Sequence, residues 1–423
     1  MKFSKSFALM TGALLALGGS AFAMDNLEKL KNVKVTGISL DIPTIPQEGR
    51  NADAIRANLE KVKLPAGFNI ELYAVVPDAR EMAVGLATNM VFVGTRKTAV
   101  WAVTDRNGDG FADEVKEFAP SISKKVPNAV CFTPDGFLVI VEHNRILNFP
   151  AAEFFYESPD VAVIEVVSQG NLIPESEESF NHGARTCEVG PDGMLYVTLG
   201  QPYNVQPKDK VEMYDEIGIG GIIRLDPFDG SGREVYSRGV RNSVGMGFNP
   251  ADGTLWWTDN QVDGLGDDVP PGELNRSTTV GEHFGFPYWN GDYKVAGSGA
   301  APDLADMAEP VNAVFPQVNF PAHQAQLGMA FYTGKKFPSK YQGGIFVASH
   351  GSWTRTEPSG ALINFIPVNA DGTAGQSEVF AEGWLDETGI YKGRPVDVAV
   401  MKDGSLLVSD DYVGAIYRIS YGN

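Results

Sequence analysis

The chain has 423 residues, of which 43% are hydrophobic and 21% charged, and its formal net charge at pH 7 is −19. This length is enough for two average domains or for one large β architecture. The acidic balance argues against binding to nucleic acids or to anionic membranes, since both carry negative charge. Against that background, arginines at motif positions are candidate anion-binding groups.

The first 23 residues have the features of a secretory signal peptide. Lys2 and Lys5 precede an apolar run from Phe7 to Leu17, and Ala21-Phe22-Ala23 is a small-x-small cleavage site. The apolar run is too short to span a bilayer, and no later stretch of the sequence approaches the length of a membrane helix. We therefore expect a cleaved signal peptide at residues 1–23, no membrane span, and a periplasmic or secreted protein.

Residues 24–64 form an N-terminal extension with two local patterns. Val33–Ile42 favours a strand, and Asn51–Val62 has apolar residues at helical spacing. From Phe68 onward the pattern becomes that of β structure.

A recurring β unit fills the rest of the chain. Each copy has an apolar alternation, a Gly/Asp turn, a second apolar run, a polar gap and a third run. The copies are Asn128–Phe149, Ala184–Leu225, Val244–Asn275, Leu327–Pro367, Val396–Ser420 and a divergent sixth, Phe68–Val103. Such radial repetition predicts an all-β fold, a six-bladed β-propeller over residues 65–423. A Val33–Ile42 strand could complete the last blade and close the ring.

Polar residues precede the first strand of several copies. His182 does so in the third copy, where a neutral imidazole could take a proton from a substrate hydroxyl. Cations at the same repeat position are Arg185, Arg241 (followed by Asn242), and the pair Lys392 and Arg394. Planar guanidinium groups that converge on the axis suit a carboxylate-bearing ligand. The alternative is that these cations bridge adjacent blades structurally.

Two loops are rich in oxygen ligands. Trp257–Asn275 is a long polar loop, and hard cations such as Ca²⁺ prefer such ligands, including backbone carbonyls. The alternative is a hydrogen-bonded blade connection. Asp105–Asp113 starts like an EF-hand loop, but Lys116 stands at the twelfth position and helical flanks are missing. We interpret it as an Asx-rich turn, with weak calcium binding as the alternative.

Histidines and cysteines complete the candidates. His350 lies close to Trp353, whose indole could stack on a flat ligand or a sugar, and His323 precedes the same blade, whereas we assign His143 and His283 structural roles. The cysteines Cys131 and Cys187 lie in β runs of successive repeats, and we expect two buried thiols, with a disulfide as the alternative. The sequence contains no haem-attachment motif, no close three-histidine zinc spacing, no phosphate loop and no G-x-S-x-G.

Several motifs together resemble the glucose/sorbosone dehydrogenase family, most closely its L-sorbosone dehydrogenase-like branch. They are His182–Val197 (His-x-x-Arg-Thr followed by Gly-Pro-Asp-Gly), Gly239–Gly245, Thr258–Asn275, Phe284–Tyr288, His350–Trp353 and Gly393–Val398. The resemblance covers roughly residues 65–421. It implies a six-bladed propeller with pyrroloquinoline quinone (PQQ) near the axis and Ca²⁺ polarising the quinone.

The resemblance also assigns roles to residues. It implies that His182 is the catalytic base, that Arg241 and Asn242 contact the quinone, and that Lys392 and Arg394 hold cofactor carboxylates. Carbonyls at Gln261 and Val262 fall where the family holds its calcium, and Arg185, His350 and Trp353 complete the cofactor-binding set. The implied reaction is oxidation of a sugar or sugar aldehyde by hydride transfer to PQQ, with electrons passed to a separate acceptor, a cytochrome or a quinone.

The sequence departs from the family pattern at three positions. Gln201 stands where relatives have an aspartate that orients the base, Arg185 is shifted by one position, and Thr354 replaces an asparagine. Two other functions stay open: a cofactor-free propeller that acts as a binding or scaffold module, and a metal-dependent lactonase. The convergent cations favour the dehydrogenase over the lactonase, because a lactonase needs metal-binding carboxylates on the axis.

Overall fold

The structure, a computed structural model, describes residues 42–158 and 160–422. The predicted signal peptide and all but the last residue of the predicted Val33–Ile42 strand lie outside the described residues. The expected N-terminal helix is present as α1 (Arg50–Leu59), which buries Ala52, Ile55 and Leu59 on one face. No helix among residues 42–158 and 160–422 is long and apolar enough to cross a membrane.

Strands dominate the described chain and form six blades. Strand β1 (Phe68–Val75) comes first in the chain. The first blade contains β2 (Met82–Val84), β3 (Val91–Val93), β4 (Trp101–Thr104) and β5 (Glu114–Glu117), and the second contains β6 (Ala129–Phe132), β7 (Leu138–Val141), β8 (Ile146–Phe149) and β9 (Ile164–Val167). The third contains β10 (Cys187–Val189), β11 (Leu195–Leu199), β12 (Gly221–Leu225) and β13 (Glu234–Arg238). The fourth blade contains β14 (Met246–Phe248), β15 (Leu255–Asp259), β16 (Gly272–Ser277) and β20 (Val318–Phe320). The fifth contains β21 (Gln326–Phe331), β22 (Ile345–Ser349), β23 (Leu362–Ile366) and β24 (Glu378–Glu382). The sixth and last contains β25 (Pro395–Val400), β26 (Leu406–Asp410) and β27 (Ala415–Tyr421).

Short elements decorate this frame. β17 (Glu282–His283) adds a parallel edge to the third blade, and β18 (Trp289–Asn290) pairs with β19 (Tyr293–Lys294). The two remaining α-helices are α2 (Ala152–Phe155) and α3 (Val211–Ile217). Single helical turns lie at Glu175–Glu177, Lys208–Lys210, Pro302–Leu304 and Ser339–Tyr341.

The first strands of the blades form the wall of the central channel. In order around the ring, β2, β6, β10, β14, β21 and β25 each contact the next, and β25 contacts β2 again. Apart from the parallel edge strand β17, the strands of each blade pair antiparallel from the channel outward. The predicted all-β six-bladed propeller is therefore confirmed, and residues just before each first strand meet at one end of the channel.

The last blade is completed by the first strand of the propeller. Strand β1 pairs antiparallel with β27, with Phe68 opposite Tyr421, and takes the outer position of the sheet. The expectation that Phe68–Val103 is one copy was therefore wrong, because Phe68–Val75 belongs to the last blade and only the part from Met82 onward belongs to the first. An N-terminal strand that completes the last blade is a common way to remove free sheet edges.

Cys131 and Cys187 form a disulfide, which corrects the expectation of two buried thiols. Cys131 lies on β6 and Cys187 on β10, the neighbouring first strands of the second and third blades. The Cα atoms are 6.0 Å apart, within the usual range for a disulfide. Membership in successive repeats therefore brings the two cysteines together, because corresponding strands lie side by side around the channel.

The Asp105–Asp113 segment is the Asx-rich turn that the sequence predicts. Asp105 accepts hydrogen bonds from the backbone N–H groups of Gly108 (2.7 Å) and Gly110 (2.8 Å). Asp113 accepts the backbone N–H of Arg106 at 2.8 Å. Both carboxylates therefore serve to hold the turn.

Candidate functional site

A polar cleft of about 270 Å³ lies at the end of the channel where the first strands begin. It is lined by residues that precede first strands and by residues that follow second strands. Its predicted members are His182, Arg241, Asn242, Gln261, His350 and Trp353. A second cleft of about 560 Å³ shares His182, Arg241 and Trp353 with the first and adds Thr354.

His182 is fixed in the cleft by a backbone carbonyl. Its Nδ1 lies 2.6 Å from the carbonyl oxygen of Gln201. Because a carbonyl only accepts, Nδ1 carries the proton and Nε2 keeps its lone pair. Burial, reinforced by the nearby Arg241, lowers the pKa of His182 to about 3. The ring is therefore neutral at physiological pH and has the form that a general base requires.

The main-chain carbonyl of Gln201 takes the place of the expected carboxylate as the partner that orients His182. Its side chain is buried and points elsewhere, since its Oε1 accepts the backbone N–H of Tyr203 at 2.9 Å. Gly200 lets the segment approach His182 closely, because an added Cβ would lie 2.7 Å from the carbonyl oxygen of His182. The side chain at position 201 therefore does not decide whether the histidine is oriented.

A buried carboxylate supports the Arg241-Asn242 segment. Asp259 accepts the backbone N–H of Arg241 at 2.7 Å and that of Asn242 at 2.6 Å. The Arg241 guanidinium donates to the carbonyl oxygens of Asn204 (2.9 Å) and Asn260 (3.2 Å). These bonds hold the segment against the cleft.

The loop after β15 presents oxygen atoms to the same region. Gln261 is buried and lines the cleft, and its Oε1 has no hydrogen-bond partner among the described residues; the same holds for Oδ1 of Asn242. Val262 is fully buried, and its N–H donates to Oδ1 of Asn290 at 2.8 Å. Asn290 in turn donates to Glu273 at 2.6 Å. Two amide oxygens are therefore buried without partners where a ligand or cation could engage them.

His323 holds in place the loop after β15, which carries Gln261. Only 2% of its surface is exposed, and its Nε2 lies 2.8 Å from the carbonyl oxygen of Gly266. Donation from His323 to the carboxylate of Asp263 raises the pKa of His323. Across residues 42–158 and 160–422, no three or more His, Cys, Asp or Glu side chains are grouped so that they could hold a metal ion.

His350 and Trp353 also line the cleft. Nε2 of His350 donates to Asp411 at 2.8 Å, and burial lowers the pKa of His350. Asp411 also pairs with Arg80 at 2.5 Å. The indole of Trp353 is 76% exposed and lines both clefts.

Three predicted cofactor-binding cations do not line either cleft. The guanidinium of Arg185 is buried and donates to the carbonyl oxygen of His143 at 3.1 Å. Arg394 donates to the carbonyl oxygen of His350 at 3.0 Å, and Lys392 pairs with Asp386 at 3.3 Å. The hydrogen bonds of Arg185 and Arg394 cross between successive blades, in accord with the structural alternative for these two arginines.

Residues 165–418 match the glucose/sorbosone dehydrogenase family. The chain belongs to this family. It is 35% identical over 253 residues to an uncharacterized protein of Borreliella burgdorferi, covering 59% of the chain and 63% of that protein. It is 26% identical over 261 residues to the pyrroloquinoline quinone-dependent sugar dehydrogenase of Hypocrea jecorina, covering 53% of the chain and 58% of that enzyme. The chain thus spans less than two thirds of the length of either relative.

A solved structure has the same fold as this family member. The calcium structure of the Trichoderma reesei carbohydrate-active enzyme of family AA12 superposes with a TM-score of 0.70. The superposition covers 86% of this chain and 97% of the other, at 20% sequence identity. At that identity the likeness concerns the fold alone.

Sequence reasoning missed two arginines of the cleft. Arg80 and Arg96 both line it, together with the aromatic ring of Phe180. Arg80 immediately precedes Glu81 and β2, the repeat position at which Arg241 and Arg394 stand in later blades. An arginine just before a first strand could therefore have been recognised here. It was missed because the first blade lacks the turn consensus and its start was placed at Phe68 instead of Met82. Arg96 follows β3 in a loop and has no counterpart in the repeat pattern.

Proposed function

We propose that this family member is a PQQ-dependent dehydrogenase that oxidises a sugar or a sugar aldehyde. Electrons pass to a separate acceptor, a cytochrome or a quinone, outside the cytoplasm. The proposal includes a cleaved signal peptide at residues 1–23 and an N-terminal extension at 24–64. The observation that carries it is His182, a neutral imidazole at a polar cleft on the propeller axis, whose Nε2 has no hydrogen-bond partner among the described residues.

The residues of the cleft fit the proposed cofactor. PQQ brings carboxylates and a reactive carbonyl, so its site needs cations and unpaired polar atoms. Arg241 lines the cleft, and Asn242 offers a buried Oδ1 without a partner among the described residues. When bound, the quinone supplies the acceptor for a hydride. The Hypocrea jecorina relative, named for this cofactor, supports the assignment.

Calcium is the proposed metal of the same site. Ca²⁺ takes six to eight oxygen ligands, including carbonyl and amide oxygens. The buried Oε1 of Gln261 and the backbone carbonyls of Gln261 and Val262 are the groups that would hold it. Support comes from that Oε1, which has no partner among the described residues, and a propeller of the same fold has been solved as a calcium structure. The metal would act as a Lewis acid beside the quinone.

The chain itself would handle the proton and the substrate. Nε2 of His182 accepts the hydroxyl proton of the sugar, and the carbonyl of Gln201 holds the ring in the correct tautomer. Burial keeps the ring neutral before the reaction. The exposed indole of Trp353 offers a flat face to the sugar ring. His350 is turned away from this role, because its Nε2–H is committed to Asp411.

The deciding experiment is reconstitution of the purified protein with PQQ and Ca²⁺. Absorbance titration measures PQQ binding with and without Ca²⁺, and dye reduction is followed over a panel of aldoses and aldehydes. We expect saturable PQQ binding that Ca²⁺ strengthens, and dye reduction that depends on both. Absence of PQQ binding would reject the proposal in favour of a cofactor-free propeller. Acid release from a lactone without dye reduction would indicate a lactonase.

A further inference from the structure

The arginines of the cleft differ in how their guanidinium groups are engaged. Arg80 donates to Asp411 at 2.5 Å and to Asn128 at 2.7 Å. Arg241 donates three of its five N–H groups to oxygens of Asn204 and Asn260 and lies 3.6 Å from Asp263. In the described part of the chain, the guanidinium of Arg96 forms neither a hydrogen bond nor an ion pair, although it lines the same cleft. Arg96 is therefore an exposed cation whose N–H groups face solvent and are available to a ligand.

Arg96 is nevertheless held in place. Its backbone N–H donates to the carboxylate of Asp78 at 2.8 Å. Its guanidinium carbon lies 5.3 Å from the centroid of the Phe180 ring, a cation–π contact. Phe180 is 73% exposed and also lines the cleft. A guanidinium that rests on a ring keeps the N–H groups at its edge free, so the contact positions the side chain without consuming its donors.

The charges around the cleft leave one cation unbalanced. Arg80 is matched by Asp411 and Arg241 lies near Asp263. Among residues 42–158 and 160–422, Arg96 has no carboxylate within ion-pair distance, and Asp411 and Asp78 act on its charge only at longer range. In a chain with a formal net charge of −19, a local positive site of this kind attracts a specific anionic group.

We propose that Arg96, supported by Phe180, binds a carboxylate of the molecule that occupies this cleft. The planar fork of a guanidinium matches the two oxygens of a carboxylate. The inference rests on the proposed function, within which the carboxylate belongs either to PQQ or to an acidic sugar substrate. It gives Arg96 the role that the family resemblance implies for Lys392 and Arg394, which lie outside the cleft and have other partners.

The test compares three variants of the full-length protein. Arg96→Gln removes the charge, and Arg96→Lys keeps the charge but loses the planar fork. Lys97→Gln is the matched control, since it makes the same charge change one residue away at an exposed position outside both clefts. Thermal melting checks that each variant folds. The readouts are the PQQ dissociation constant of the apoprotein, and KM for glucose and for glucuronate at saturating PQQ.

The two sources of the carboxylate give different results. If the cofactor supplies it, Arg96→Gln weakens PQQ binding on the order of 10- to 100-fold, as expected for a charge-assisted pair of hydrogen bonds. Arg96→Lys then recovers part of the loss, and both KM values change little. If the substrate supplies it, PQQ binding is unchanged, and KM rises for glucuronate but not for glucose.

Failure of the inference is separable from failure of the proposed function. If the wild-type protein binds PQQ, and Arg96→Gln matches Lys97→Gln in every readout, the inference is overturned while the dehydrogenase proposal stands. If the wild-type protein binds no PQQ, the dehydrogenase proposal fails. Calorimetry of glucuronate and glucose with the apoprotein then decides the inference: binding of glucuronate that Arg96→Gln abolishes supports it, and any other result overturns it.

Discussion

Replacement of His182 by asparagine should slow substrate oxidation while cofactor binding is retained. The choice of asparagine follows from the backbone, because His182 has a φ of 54°. Alanine is rare in this left-handed conformation, whereas asparagine, like histidine, is enriched in it. His182→Asn therefore removes the basic nitrogen with little disturbance of the segment that carries it.

The size of the effect follows from the protonation state of the ring. General bases contribute typically about 10²- to 10⁴-fold to a rate, which corresponds to roughly 3–5 kcal/mol in the activation barrier. With a pKa of about 3, nearly every His182 ring is available as a base at pH 7. Such a low pKa also makes the base weak, because efficiency is greatest when the pKa lies near the working pH. We therefore expect a loss near the lower end, about 10²-fold.

The assay is single-turnover reduction of the PQQ- and Ca²⁺-loaded protein, followed by absorbance after sugar is added. PQQ titration of the same preparation separates binding from chemistry. His283→Asn is the matched control, because His283 lies outside both clefts. Equal single-turnover rates for His182→Asn and His283→Asn would refute the base assignment, and so would a loss of PQQ affinity large enough to explain the slower turnover.

Three further predictions test the geometry around the site. In the apoprotein, ¹⁵N NMR should show His182 as the neutral Nδ1–H tautomer down to about pH 4, because burial favours the uncharged ring; a midpoint near 6.5 would contradict this environment. Cys131→Ser with Cys187→Ser should lower the free energy of unfolding by about 4 kcal/mol in the chain-entropy model, given a separation of 56 residues, as measured by denaturant unfolding; unchanged unfolding would show that the disulfide does not constrain the unfolded chain. Asp259→Asn should weaken PQQ binding by about 10-fold or more, since one oxygen that accepts a backbone N–H is lost; titration of the folded variant measures this, and wild-type affinity would show that the segment holds its own position.

The fold could be predicted because its signal is repeated. Each copy carries the same alternation and turn, so errors in one copy are corrected by the others. The divergent first copy shows the limit of this reasoning. Its first run, Phe68–Val75, is a good strand in isolation, and only the pairing with Ala415–Tyr421 reveals that it belongs to the last blade. Sequence pattern establishes that a segment is a strand more readily than it establishes its partner.

The candidate site could be predicted in part. His182, Arg241 and Asn242 stand before first strands, and the ring of those strands brings them to one cleft. The orientation of His182 could not be foreseen, because the partner is a backbone carbonyl and any residue at position 201 supplies one. Arg394 shares the repeat position, yet its guanidinium turns to the main chain of the preceding blade. Direction of a long side chain depends on contacts that the sequence does not display.

The pairing of β1 with β27 also has consequences during synthesis. Tyr421 follows its partner Phe68 by 353 residues (421 minus 68). At about 5–20 residues per second, the ribosome needs roughly 20–70 s between the two strands. For that interval β1 is an unpaired edge with an apolar side, a template for pairing with other chains. The nascent polypeptide therefore benefits from being kept from neighbouring chains until β27 is available, and a product that ends before residue 415 lacks the partner strand of β1.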